Sequence, residues 1–240
     1  MNYKWDWGIL LRDPYFDWIV SGFGWTCAVA VLAWIIALML GSLIGVMRTL
    51  PNPFARAIGT AYVEFFRNIP LLVQMFLWYF VLPELLPRET GMYVKRGMPM
   101  PEFWTAVICL GFYTSARVAE QVRSGIGAIR DGQRQAALAM GLTLPQVYRF
   151  ILIPVSYRII IPPLTSDFLG VFKNSSLALT IGVAELTARS RQIEEYTFQG
   201  FEAFAAATVL YSVVTFAVMG IMHVTEKRTR IPGLITLEAK

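Results

Sequence analysis

Six ionisable side chains interrupt stretches of this sequence that are otherwise apolar. They are Glu64, Arg67, Arg117, Glu120, Asp167 and Lys173. An ionised group is costly in hydrocarbon, so residues of this kind usually pair with one another or line a polar pathway. Glu64 and Arg67 lie three positions apart, as do Arg117 and Glu120, and each pair therefore shares one face of a helix. The six charges sum to zero, so a gate network on the cytosolic side and a structural brace both fit the two pairs.

Lys173 differs from the others because no residue of opposite charge lies three or four positions away. If a helix begins at Pro162, Lys173 lies roughly 16 Å along it, near the middle of a bilayer whose hydrocarbon core is about 30 Å thick. Asn174 and Ser175 follow it with hydrogen-bonding side chains. This arrangement predicts a water-lined cavity for an anionic or zwitterionic molecule; the alternative is that Lys173 only braces the helix bundle.

The sequence lacks the motifs of most catalytic and metal sites. It has no phosphate loop of the form GxxxxGK[ST], so ATP is not expected to bind to this chain. His223 is the single histidine, which excludes an HExxH zinc site, and no Ser/His/Asp arrangement is evident. Cys27 and Cys109 both lie in apolar stretches and do not indicate a disulfide. No stripe of basic residues with interleaved aromatic residues indicates binding of nucleic acid. We therefore expect no enzyme activity, no cofactor and no nucleic-acid partner.

Composition places the chain in a lipid bilayer. Residues 18–47 and 203–225 contain no charged side chain, and each run exceeds the roughly 20 residues that cross a membrane as a helix. The predicted fold class is all-α, a single polytopic domain over residues 1–240. Its five membrane helices are predicted at about 18–47, 60–84, 103–124, 162–184 and 203–225.

The distribution of Lys and Arg predicts the orientation in the membrane. With the N-terminus outside, eleven of these residues fall on the cytosolic side and seven on the outer side. Because cationic residues concentrate in cytosolic loops, we expect a periplasmic N-terminus and a cytoplasmic C-terminus.

Between the third and fourth predicted helices, residues of about 130–154 form a polar and cationic segment. Ala136, Ala137 and Met140 favour a helix, and Gly141 follows where a left-handed helix stop belongs. Thr143 and Gln146 have the spacing of a capping box for a second helix. We call this cytosolic segment of about 130–154 the hook, because two short helices joined by a glycine turn predict a docking surface for a partner.

The first predicted helix carries a ladder of small residues four positions apart: Ala33, Ala37, Gly41 and Gly45. Such a face lets another helix backbone approach closely. The sequence favours packing within the chain, and a contact between subunits is the alternative.

Several segments resemble the permeases of polar amino-acid ABC transporters. Residues 62–74 (YVEFFRNIPLLVQ) are similar to the second-helix signature of that family, and residues 119–126 (AEQVRSGI) to the approach to its EAA loop. Residues 173–177 (KNSSL) are similar to its fourth-helix motif. The hook resembles the EAA loop itself, with Gln135 where many members have glutamate. Within the family, the chain most resembles the permeases of glutamate/aspartate importers.

The resemblance implies a type I importer fold and a permease that works with separate proteins. The implied partners are two ABC ATPase subunits, a second permease that is a different but related chain, and a periplasmic amino-acid-binding protein. It implies that the chain lies in the bacterial inner membrane. The implied ATPase-docking residues are Gln135, Ala136, Ala137, Met140, Gly141, Leu142 and Thr143. The implied substrate-pathway residues are Glu64, Arg67, Gln74, Arg117, Glu120, Lys173, Asn174 and Ser175.

An ion-coupled secondary transporter or channel is the rival interpretation, with Glu64 and Glu120 as ion sites. Two observations count against this interpretation. It leaves the hook without a function, and the sequence shows no evident internal repeat of the kind that secondary transporters have.

Overall fold

A computed structural model describes residues 3–229 of the chain, and within that range it contains helices and no strands. The α-helices are α1 (Tyr15–Met47), α2 (Pro53–Asn68), α3 (Leu71–Phe76), α4 (Leu82–Leu85), α5 (Arg88–Met92), α6 (Pro101–Gly127), α7 (Asp131–Ala139), α8 (Leu144–Val147), α9 (Ile153–Asn174), α10 (Leu186–Thr197) and α11 (Gly200–Thr229). Short 3-10 helices cover Trp7–Leu11 and Ser175–Ile181, and π-helical turns cover Leu77–Val81, Tyr93–Gly97 and Tyr148–Leu152.

Three helical stretches in residues 3–229 are long and apolar enough to cross a membrane. They are Tyr15–Met47, Leu144–Ile181 and Gly200–Arg228, and a fourth span results if α2 and the helix Leu71–Leu85 are counted as one broken span. The helix α6 has 27 residues, or about 40 Å, and is not among these stretches. The count of five membrane helices therefore stays a prediction. The C-terminus, which is predicted to be cytoplasmic, lies outside the described residues.

The centre of the molecule is the contact between α1 and α6, and the small-residue ladder makes it. Ala33, Ala37, Gly41 and Gly45 are all buried. A Cβ atom at Gly41 would lie 2.6 Å from Cβ of Val118, which is closer than two such atoms can approach. The predicted packing within the chain is therefore confirmed: the ladder lets two long helices lie backbone to backbone, so that they form one unit.

The predicted continuous span at 60–84 is wrong, because the chain bends by 100° between α2 and the helix that follows. Helix α2 begins at Pro53, where the side chain of Asn52 accepts from the backbone N–H of Phe54 at 2.9 Å. It ends at Asn68 because Pro70 drives the preceding residue into an extended conformation. The predicted helix of about 60–84 therefore starts inside α2 and continues past the residue at which α2 ends.

The predicted helix start at Pro162 is also wrong. Helix α9 begins at Ile153, and Pro162 and Pro163 both lie inside it. Prolines are tolerated within membrane helices where neighbouring helices and hydroxyl side chains satisfy the freed backbone groups. Since α9 ends at Asn174, Lys173 lies in its last turn, and the depth calculated from Pro162 does not apply.

A buried carboxylate fastens the last part of the chain. Glu185 precedes α10, and its side chain accepts from the backbone N–H groups of Thr187 at 3.0 Å and Ala188 at 2.7 Å. It also accepts from the Tyr211 hydroxyl of α11 at 3.0 Å. Glu185 therefore caps α10 and holds it against α11.

Candidate functional site

The hook has the two-helix form that its sequence predicts. Helix α7 ends before Gly141, whose φ of +88° lies in the left-handed region that glycine adopts at little cost. The Gln146 side chain then accepts from the backbone N–H of Thr143 at 2.7 Å, which closes the predicted capping box at the start of α8. The left-handed glycine and the capping box are both confirmed.

The hook presents most of the predicted docking residues to the surroundings. Met140 is 74% exposed, Leu142 is half-buried, and the other outward-facing members are Gln135, Ala136, Gly141 and Thr143. Ala137 differs, because it is 1% exposed and packs in an apolar cluster with Val147. As a correction, Ala137 belongs to the internal core of the hook and does not offer its side chain to a partner.

A polar cavity of about 250 Å³ lies between α2 and α6. Its lining consists of Arg67, Tyr113, Arg117, Glu120 and Gln121. The sequence predicts three of these residues in the substrate pathway, and the fold brings them together from two helices. The cavity can therefore offer both guanidinium and carboxylate groups to a polar molecule.

The ion pairs around this cavity differ from the predicted pairs. Arg117 does not pair with Glu120; its Nε lies 2.9 Å from Oδ1 of Asp167 on α9. Glu120 is held by Arg48, whose Nη1 lies 2.5 Å from Oε2, and also by Arg123 of its own helix. Spacing along one helix shows only which two side chains could form an ion pair. Charged side chains on neighbouring helices lie closer to each member and form the ion pairs that are observed.

The second predicted pair does not form either. Arg67 lies 3.9 Å from Glu120, whereas Glu64 is exposed on α2 and makes no ion pair among the residues that the structure describes. The cavity as a whole has a positive balance. Its lining carries two positive charges, Arg67 and Arg117, against one negative charge, Glu120, a net of +1.

The remaining predicted pathway residues lie apart from the cavity lining. Gln74 is buried, and its Nε2 donates to the carbonyl oxygens of Phe66 and Ile69, both at 2.8 Å. Ser175 is buried, with its hydroxyl bonded to the Phe172 carbonyl oxygen. Lys173 is exposed and Asn174 half-buried at the end of α9. Gln74 thus closes the break between α2 and α3, while the other three lie at the end of α9.

Sequence reasoning missed four residues of this region. Arg48 approaches this region only because the end of α1 packs beside α6. Tyr113 and Gln121 lie four positions before and after Arg117 on α6, so helical spacing is the signal that could have found them. The sequence marks Asp167 only as a charge, although the residue is 4% exposed and its Oδ2 has no hydrogen-bond partner among the described residues. A buried carboxylate of this kind is a signal that only the tertiary structure supplies.

Comparison with known proteins agrees with these features. Residues 37–231 match the protein family described as "Binding-protein-dependent transport system inner membrane component". The chain is 45% identical to the glutamate/aspartate import permease protein GltJ of Escherichia coli (strain K12), over 97% of this chain and 98% of GltJ. It is 33% identical to the probable glutamine ABC transporter permease protein GlnM of Bacillus subtilis (strain 168), over 89% and 94% of the two chains.

Solved structures share the fold. A chain from the crystal structure of an amino acid ABC transporter with histidines superposes with a TM-score of 0.80 at 29% identity, covering 94% of this chain and all of that one. A chain of the MetNI methionine ABC transporter in an inward-facing conformation gives a TM-score of 0.73 at 17% identity, over 92% of this chain, which supports the fold alone. The chain therefore belongs to the family of binding-protein-dependent transport system inner membrane components, and it is a multi-pass ABC importer permease rather than an enzyme.

Proposed function

We propose that this chain is one of two permease subunits of an ATP-driven importer for acidic amino acids, with glutamate and aspartate as substrates. The observation that carries the proposal is the polar cavity, whose lining has a net charge of +1. Removing a side-chain carboxylate from water is costly unless a fixed positive group receives it. The 45% identity to a glutamate/aspartate import permease supports the same substrate class.

Arg67 is the proposed substrate-binding group. It lines the cavity, its side chain is half exposed, and its distance of 3.9 Å from Glu120 leaves its donors available. Arg117 adds a second guanidinium that is already oriented by Asp167. Lys173, Asn174 and Ser175 are proposed as a further part of the pathway at the end of α9, where Lys173 makes no ion pair among the described residues.

The hook is the proposed contact with the ATPase. Met140 and Leu138 are exposed apolar side chains beside the glycine turn, and they present a surface that a groove on another protein can cover. In this proposal a periplasmic binding protein delivers the amino acid, two ATPase subunits close on ATP, and the permease alternates between outward-open and inward-open states. The second permease is proposed to be a related but different chain.

Reconstitution tests the proposed function. The chain is purified with its ATPase, binding protein and second permease, placed in proteoliposomes with ATP, and supplied with labelled glutamate, aspartate, glutamine or lysine. We expect ATP-dependent uptake of glutamate and aspartate that requires the binding protein. Uptake driven by an ion gradient without ATP would instead support a secondary transporter.

Substitutions in the same assay test the substrate site. Arg67→Gln should reduce glutamate uptake about tenfold, because a hydrogen bond to a charged group is lost. Arg56→Gln is the matched control, since Arg56 is exposed on the same helix and does not line the cavity. Unchanged glutamate uptake by Lys173→Met would remove Lys173 from the pathway without affecting the assignment of Arg67.

A further inference from the structure

A tyrosine connects the hook to the end of the first helix. Tyr148 follows α8 directly, its ring is buried, and it packs in the same apolar cluster as Ala137 and Val147 of the hook. Its hydroxyl donates to the backbone carbonyl oxygen of Thr49 at 2.9 Å and lies 3.2 Å from Oγ1 of the same residue. A movement of the hook therefore acts on Thr49 through a hydrogen bond as well as through apolar contact.

Thr49 is bonded along the chain to a residue of the cavity network. The preceding residue, Arg48, reaches Glu120 with its guanidinium at 2.5 Å. The stem of Arg48 is also covered by α2, because a Cβ atom at Gly59 would lie 2.7 Å from Cγ of Arg48. With its side chain only 11% exposed, Arg48 has little freedom to move independently of Thr49 and α2.

Glu120 completes the connection to the cavity. It lines the cavity, and Arg67 lies 3.9 Å from its carboxylate. The contacts therefore run from the hook through Tyr148, Thr49, Arg48 and Glu120 to the residues that line the cavity. Each step is a hydrogen bond, an ion pair or a peptide bond between buried or half-buried groups.

We propose that Tyr148 is a positioning residue that transmits movement of the hook to the Arg48–Glu120 ion pair, and so couples ATPase docking to the opening of the cavity. This inference rests on the proposed docking of the ATPase at the hook. Tyr148 itself is buried within the chain, so its proposed effect is on the relative position of the hook and α1.

The test uses the complete reconstituted complex with the variants Tyr148→Phe and Tyr157→Phe. Tyr157 is the matched control, because its hydroxyl contacts Ser42 and thus joins α9 to α1 without touching Thr49 or Arg48. Co-purification of the ATPase and the thermal midpoint report assembly and folding. The decisive quantity is the number of glutamate molecules transported per ATP hydrolysed in the presence of loaded binding protein.

For Tyr148→Phe we expect normal assembly and a roughly fivefold fall in transport per ATP, as loss of one hydrogen bond predicts. Tyr157→Phe should retain the wild-type ratio. The inference is overturned if Tyr148→Phe keeps the wild-type ratio, or if Tyr157→Phe loses as much. The proposed function is judged separately, from whether the wild-type complex transports glutamate with ATP at all.

A double-mutant cycle gives an independent measurement. If Tyr148 acts through Glu120, Tyr148→Phe combined with Glu120→Gln should transport no less per ATP than the more impaired single variant. Multiplication of the two single effects would show that the residues act independently and would contradict the inference.

Discussion

The Nε atom of Arg117 lies 2.9 Å from Oδ1 of Asp167, and the two residues have very different surroundings. The side chain of Arg117 is 53% exposed, whereas that of Asp167 is 3% exposed. This contact joins α6 to α9 at the side of the polar cavity. Because water can reach the Arg117 side chain but not that of Asp167, loss of Arg117 and loss of Asp167 should destabilise the protein by different amounts.

Arg117→Met should destabilise the protein more than Asp167→Asn. The first change leaves a buried carboxylate without a counter-ion and should lower the free energy of unfolding by about 3 kcal/mol. The second leaves a guanidinium that water can reach, at a cost of about 1 kcal/mol. Thermal unfolding of the detergent-solubilised protein measures both. The double variant Arg117→Met/Asp167→Leu should recover stability relative to Arg117→Met; equal losses for the two single variants would contradict the assignment.

Gly41→Ala should destabilise the contact between α1 and α6. The new methyl group would meet Cβ of Val118 at 2.6 Å and the carbonyl oxygen of Ser115 at 2.7 Å, and overpacking of this kind costs about 1–3 kcal/mol. Gly24→Ala is the control in the same helix, since a Cβ atom at Gly24 would meet nothing within 4 Å, and it should be neutral or stabilising. Thermal unfolding of the detergent-solubilised protein measures both, and an equal fall in the thermal midpoint for Gly24→Ala and Gly41→Ala would contradict this account of the contact.

Met140→Asp should abolish assembly with the ATPase while leaving the permease folded. Met140 is 74% exposed on the hook, so the change adds a charge to a proposed apolar interface without disturbing the core. Co-purification in detergent measures the assembly. Tyr196→Asp, at a 67% exposed position on α10, should assemble normally. By contrast, Ala137→Asp places a charge in the hook core and should lower the thermal midpoint as well.

The orientation in the membrane can be measured by cysteine labelling. Lys95→Cys and Arg191→Cys should react with a maleimide that does not cross the membrane, whereas Arg134→Cys and Arg228→Cys should be protected in intact cells. The reason is the excess of Lys and Arg on the predicted cytosolic side. Labelling of Arg134→Cys from outside would reverse the proposed topology.

The features that could be predicted from the sequence are those that depend on neighbouring residues. The left-handed turn at Gly141 and the capping box of Thr143 and Gln146 involve positions that are close along the chain, so their chemistry is visible in the sequence. The ladder through Gly41 was predictable for a similar reason, because its residues share a helix face whatever lies opposite.

The features that could not be predicted depend on other helices. Asp167 pairs with Arg117 because α9 packs beside α6, and nothing in the spacing along either helix indicates that contact. In the sequence, Arg48 is only one of the eleven Lys and Arg residues predicted on the cytosolic side. In the fold it forms an ion pair with Glu120. The calculation of a depth for Lys173 loses its basis because Pro162 does not start a helix; tertiary packing tolerates this proline inside α9.

The break at Pro70 has a mechanical consequence. Ile69 and Pro70 separate α2 from α3, and the Gln74 amide holds their junction with two hydrogen bonds to Phe66 and Ile69. Because these hydrogen bonds hold the angle of the bend, a movement of α3 is passed on to α2 and is not absorbed at the junction. Helix α2 carries Arg67 and packs on α1 and α6 through Val63 and Phe66, so the bend fixes the place of this cavity-lining side chain.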